Sequence, residues 1–201
     1  MPILGNATVV AAAVSRSTSN ALRVQLKAPD GTELAHARQK GGVGVLLGLK
    51  NGGKSTYTLS GTNGEELMIA VADATTITRA STPVGRIVPS DGAVRFEDGG
   101  GMVLAVARPH HGLKADSGWH HQILSPGGQE LGVLTLMTSH SGWGDVASDV
   151  LDLLGGQSVT TLTAPSAGTM LRLAAPVPAA VGDVLAAACV DFAVLPRGYV
   201  V

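Results

Sequence analysis

The histidines are the residues whose spacing most suggests chemistry. Four of the six stand in two adjacent pairs, His110-His111 and His120-His121. Neighbouring side chains on one face of a hairpin lie about 5 Å apart, so His111 and His120 could share a metal ion, with His140 or Asp116 as third ligand. Against this, adjacent residues of a strand point to opposite faces, and no cysteine or carboxylate spacing completes a known metal motif. A histidine-based metal protein or enzyme is therefore the second alternative, behind two binding functions.

Nucleophilic catalysis has less support. Ser139 and His140 are adjacent, but no Gly-x-Ser-x-Gly elbow surrounds them. The single cysteine, Cys189, lies in an apolar stretch where a thiolate would be disfavoured. The sequence therefore predicts no catalytic residue, no cofactor and a non-enzymatic protein.

Three lysines flank glycine-rich segments. Lys40, Lys50 and Lys54 lie around segments 41–42 and 51–53. Lysines in such segments are more often a solvated face than a lipid headgroup site. The net charge of −1 and the absence of a basic run argue against a nucleic-acid partner.

Short strands must position these residues. Apolar and polar residues alternate on both sides of turns rich in Gly, Asp, Asn or Pro, which predicts hairpins. The four hairpins span 22–26 with 33–37, 57–59 with 66–71, 84–88 with 93–96, and 120–124 with 130–136. Turn signals at this spacing indicate a mainly β protein, either a closed antiparallel barrel or a sandwich.

Two segments follow a helical pattern instead. Residues 143–154 place apolar side chains on one side and Asp145, Asp149 and Asp152 on the other, which predicts a short surface helix. Residues 179–195 are Ala-rich and apolar on nearly every side, which predicts a buried central helix. Its expected core positions are Val184, Leu185, Ala188, Cys189 and Phe192. Seventeen residues reach only about 25 Å and include two Asp, so a transmembrane span is not expected.

Composition places the chain among globular proteins. With 45% hydrophobic but only 3% aromatic residues, the core must consist of Ala, Val and Leu. We expect a single domain over 1–201, with 1–19 as an N-terminal arm or first strand, because no positive residue precedes its apolar run. The lone cysteine is compatible with a reducing compartment, which favours a cytoplasmic protein, free or peripheral at a membrane.

Hairpins followed by one hydrophobic helix are the plan of a known superfamily. Four features of the chain resemble the tubby-like superfamily, in its LURP-one-related and phospholipid-scramblase branch. They are the Tyr57-x-Leu-x4-Gly-x-Glu-Leu hairpin, the Val84-Gly85-Arg86-Ile87 strand, the hairpin over 122–136 and the helix ending Val190-Asp191-Phe192. The resemblance implies a closed barrel of twelve strands around the helix. It also implies a binding or scaffold protein, with phospholipid binding or scramblase-like activity as the alternative. Tubby proteins bind phosphoinositides through a basic patch on the barrel, and the resemblance implies Lys40, Lys50 and Lys54 as its equivalent, in contact with a lipid headgroup or a protein partner. The Cys-rich stretch and Pro-rich arm of scramblases are missing here.

Overall fold

The structure, a computed structural model, describes residues 2–16, 22–40, 55–109, 119–137 and 168–194. These contain twelve strands and one helix. The strands are β1 (Val9–Arg16), β2 (Leu22–Lys27), β3 (Glu33–Gln39), β4 (Ser55–Gly61), β5 (Glu66–Val71), β6 (Thr75–Arg79), β7 (Thr82–Ser90), β8 (Ala93–Asp98), β9 (Val103–Pro109), β10 (Trp119–Leu124), β11 (Glu130–Met137) and β12 (Gly168–Leu173). The helix, α1, spans Ala179–Val194. The surface helix predicted over 143–154 lies outside the described residues.

The strands form one closed antiparallel barrel. Each strand pairs with the next in the chain, and β1 closes the ring by pairing with β12, where Ala11 lies opposite Met170. The predicted fold class, a mainly β closed barrel around a C-terminal helix, is therefore confirmed. The N-terminal segment contributes a first strand, one of the two options that the sequence left open.

Alternation along each strand decides which side chains face inward. In β2, Val24 and Leu26 are fully buried, whereas Arg23, immediately before Val24, is exposed. Because successive side chains of a strand point to opposite faces, this pattern puts an aliphatic lining inside the barrel and polar residues outside.

Helix α1 fills the barrel interior. A barrel of eight strands is just wide enough to be filled by side chains, so twelve strands leave room for a helix. The helix contacts β1, β2, β5 to β8, β11 and β12, and every residue from Gly182 to Phe192 is buried. All five predicted core positions are at most 1% exposed: Val184, Leu185, Ala188, Cys189 and Phe192.

Small residues let the helix approach the wall. A methyl group at Gly85 of β7 would lie 2.5 Å from Cγ2 of Val184 and 2.7 Å from the carbonyl oxygen of Glu97. Neither distance is compatible with a carbon atom at that position. Glycine at 85 therefore sets how closely β7 and α1 pack.

The antiparallel order gives the barrel two distinct ends. We call the end where α1 begins the bottom and the end where it ends the top. Odd-numbered strands end at the top, and even-numbered strands begin there. The helix is too short to cross a membrane, and no other helix occurs in the described ranges.

Candidate functional site

Three cations stand together on the outer wall near the top. Arg23 of β2 lies directly opposite Arg38 of β3, and Lys40 follows two positions later on the same face. All three side chains are exposed. We call Arg23, Arg38 and Lys40 the β2–β3 basic surface.

No carboxylate in the described part of the chain neutralises the charge of this surface. Like charges directly opposite each other on neighbouring strands are destabilising. No ion pair joins a described carboxylate to any of the three cations, whereas Arg79 pairs with Glu65 and Asp183, and Arg86 and Arg95 both pair with Glu97. The arrangement lowers stability slightly and leaves a positive potential that an anion could neutralise.

Of the three predicted lysines, Lys40 belongs to this surface. Its backbone N–H donates to the Thr56 carbonyl at 2.8 Å, which extends the β3–β4 pairing. Lys50 and Lys54 lie outside the described residues. The sequence analysis missed Arg23 and Arg38, although the alternation in β2 and β3 places both outward.

A second group of polar residues lies inside the barrel near the top. Asp191 of α1 is fully buried and accepts a hydrogen bond from Oγ1 of Thr75 at 2.6 Å. Tyr57 is also buried, and this burial raises the pKa of its phenol, while a hydrogen bond to Ser55 lowers it and the nearby Asp191 charge raises it further. The aspartate thus has the donor that a buried carboxylate requires.

His121 completes the polar interior. Its ring meets Phe192 edge to face, with centroids 5.6 Å apart. Burial, helped by the neighbouring His120, lowers the pKa of the His121 imidazole from 6.5 to about 4. His121 is therefore neutral at neutral pH.

The predicted metal ligand His120 lies on the outer face instead. Its Nδ1 lies 2.9 Å from Oγ1 of Thr135, the residue opposite it on β11. His111, Asp116 and His140 lie outside the described residues. Within the ranges that the structure describes, no group of three His, Cys, Asp or Glu side chains could hold a metal ion. The metal hypothesis stays a prediction.

Cys189 has no nucleophilic character. Its side chain is fully buried, and burial raises the pKa of the thiol to about 12, although a hydrogen bond with Thr169 lowers it. The Thr169 hydroxyl donates to the Cys189 carbonyl at 2.9 Å. Both residues therefore serve packing between α1 and β12.

At the bottom of the barrel, ion pairs and hydrogen bonds hold the start of α1 in place. Asp183 accepts from Nη2 of Arg79 at 2.7 Å and from the Ile3 backbone N–H at 3.1 Å. Arg79 also pairs with Glu65 through Nε at 3.2 Å. This cluster joins the N-terminal segment, β6 and α1, and is structural.

Comparison with known proteins identifies no relative. No protein-family model, no curated protein and no solved structure matches the chain.

Proposed function

We propose that this chain is a non-enzymatic binding protein whose barrel holds the β2–β3 basic surface toward an anionic partner. The observation that carries the proposal is the cross-strand pair Arg23 and Arg38, extended by Lys40, without a neutralising carboxylate among the described residues. Such a pair weakens the sheet, and an anion bound against it would relieve the repulsion.

Phospholipid headgroups are the anions to test first. Each Lys or Arg near an anionic membrane contributes about 1 kcal/mol of binding, so three give about 3 kcal/mol and reversible, peripheral association. Position supports this choice, because the surface lies near the top, where a flat bilayer could meet the barrel rim. The resemblance to the tubby-like superfamily points to the same ligand class.

The barrel supplies rigidity. Its hydrogen-bonded ring has no free edge, and α1 fills its interior, so the three cations keep their spacing before and after binding. A preformed surface loses little conformational entropy on binding.

Liposome flotation tests the proposal. Wild-type protein should float with vesicles of phosphatidylcholine and phosphatidylserine, stay in the aqueous fraction with phosphatidylcholine alone, and be released by salt. The triple variant Arg23→Gln, Arg38→Gln, Lys40→Gln should lose most of this binding, by about a hundredfold in affinity.

The matched control removes the same charge elsewhere. Lys27→Gln, Arg86→Gln, Arg172→Gln lowers the net charge equally but leaves the basic surface intact, so flotation should change little. Equal loss in both triple variants would mean that only net charge matters. No flotation of the wild-type protein with either vesicle would reject headgroups as the ligand.

A further inference from the structure

The wall opposite the basic surface contains a groove. It lies on the outside of β8 and β9, beside the β7–β8 turn at the top, and has a volume of about 450 Å³. Pockets for small ligands commonly have volumes of about 300–1,000 Å³. Strands β8 and β9 stand six positions from β2 and β3 around the twelve-stranded ring. The groove and the β2–β3 basic surface are therefore separate sites.

Two arginines and two small residues shape the groove. Arg95 of β8 lies directly opposite Val106 of β9, and Arg108, two residues further along β9, points to the same outer face. Val94 lies opposite Ala107, so this register, extended by one residue, brings Ala93 next to Arg108. The two guanidinium groups thus stand on a diagonal, and the short side chains of Ala93 and Val106 leave the space between them open.

Diagonal positions on one face of a sheet lie about 7–8 Å apart, which is within reach of two long side chains. Both guanidinium groups can therefore bind the same chemical group of a ligand that lies above the side chains of Ala93 and Val106.

Buried Glu97 holds one of these arginines in place. Its Oε1 lies 3.6 Å from Nε of Arg95, and its other oxygen lies 3.7 Å from Arg86. An ion pair at Nε leaves the two terminal amino groups of Arg95 for another partner. Arg108 is exposed and makes no ion pair with a described carboxylate.

We propose that the groove between Arg95 and Arg108 is a binding site for a phosphate monoester with a small apolar body. A guanidinium group can donate two parallel hydrogen bonds to two oxygens of a phosphate. The two positive charges of Arg95 and Arg108 together balance the charge of a doubly ionised phosphate monoester. Ala93, Val106 and Pro109 offer apolar contact to the body of the ligand. Asp91 at the rim would repel a second anionic group, which favours a singly phosphorylated ligand.

Phenyl phosphate is the probe for this site. In calorimetric titrations at low salt, the wild-type protein should bind it saturably at millimolar concentration, and more tightly than inorganic phosphate, which has no apolar body. The Arg108→Gln variant should bind at least tenfold more weakly, because one charged fork is lost. Arg172→Gln, on β12 and outside both the groove and the β2–β3 basic surface, is the matched control and should bind as the wild type does.

Flotation with vesicles containing phosphatidic acid distinguishes the two sources of a phosphate monoester. Binding to both phenyl phosphate and these vesicles, lost in Arg108→Gln, supports a site for either source. Binding to phenyl phosphate alone supports a soluble ligand, and binding to the vesicles alone supports a lipid headgroup. Absence of both, or binding that Arg108→Gln leaves unchanged, overturns the proposal. In these flotations the protein carries Arg23→Gln, Arg38→Gln and Lys40→Gln, so that the β2–β3 basic surface does not contribute to vesicle binding.

Discussion

At the scale of single residues, the barrel interior is unusual in holding titratable groups near one end. Asp191, Tyr57 and His121 all lie inside, at most 1% exposed. Each is in a different situation, because Asp191 accepts from Thr75, Tyr57 has its pKa raised by burial, and His121 has its pKa lowered. A neutral imidazole and a neutral phenol keep the charge inside the barrel low, as a low-dielectric interior requires.

His121 should make the stability of the protein depend on pH. Its pKa in the folded protein is about 4, below the 6.5 of the unfolded chain, so unfolding takes up a proton between these values. Stability is therefore full above about pH 6.5 and falls as the pH drops toward 4. Between pH 7 and pH 5 the free energy of unfolding should fall by about 2 kcal/mol from this residue alone.

Urea unfolding of the wild type and of His121→Gln at both pH values measures this contribution. The variant should lose about 2 kcal/mol less than the wild type on acidification. The control Ile123→Val changes a buried residue of the same strand that carries no titratable group, and it should keep the wild-type pH dependence. An identical pH dependence in wild type and His121→Gln would show that the buried imidazole does not titrate as described.

At the scale of elements, one strand fastens the helix at two points. Thr75 and Arg79, the first and last residues of β6, bind Asp191 and Asp183. Four residues of a strand span about 13 Å and eight residues of a helix about 12 Å, so the two bonds match in length. This match helps to fix the height of α1 in the barrel, together with the close packing of α1 against the wall.

The contact between β7 and α1 gives a prediction about packing. Gly85→Ala should destabilise the protein by about 1–3 kcal/mol, since the added methyl group overlaps Val184 and the Glu97 carbonyl. Val184→Ala in the same chain should recover part of this loss, so that the double variant is less destabilised than the sum of the single variants. Chemical denaturation of the four proteins in the cycle measures the coupling.

Gly127→Ala is the control, because its methyl group would meet only Ser125 at 3.8 Å. It should leave stability within about 0.5 kcal/mol of the wild type. Full additivity of Gly85→Ala and Val184→Ala would contradict the close packing of β7 against α1.

Alternation predicted four hairpins, each with Gly in its turn. It did not predict β9, although Asp98 and three glycines precede it, nor β6, which was missed for a physical reason. The β6–β7 turn consists of Ala80 and Ser81, both with positive φ (46° and 69°), a conformation that these residues rarely adopt. Ala and Ser are not residue types that predict a turn with positive φ, so the sequence does not show where β6 ends. The register of β6 depends instead on its neighbours in the closed ring. The basic surface was missed in part for a similar reason, since only the strand pairing shows that Arg23 and Arg38 meet.

At the scale of the whole molecule, composition and architecture explain each other. A ring of twelve strands has a wide interior, and α1 occupies it with Ala186, Ala187 and Ala188 in its buried middle. Small side chains are needed because wall residues on all sides point inward. The scarcity of aromatic residues is thus a consequence of placing a helix, rather than large side chains, at the centre.

Removal of the helix should abolish folding. Burying Val184, Leu185, Val190 and Phe192 contributes about 1.5–3 kcal/mol each, and the four together approach the whole stability of a typical domain, about 5–15 kcal/mol. A chain that lacks residues 179–201 should therefore show no cooperative thermal transition and no dispersed amide spectrum. A chain that lacks only residues 195–201 keeps all of α1 and should fold. A cooperative transition in the shorter chain would mean that the twelve strands close without a central helix, and that α1 is an addition to the barrel rather than its core.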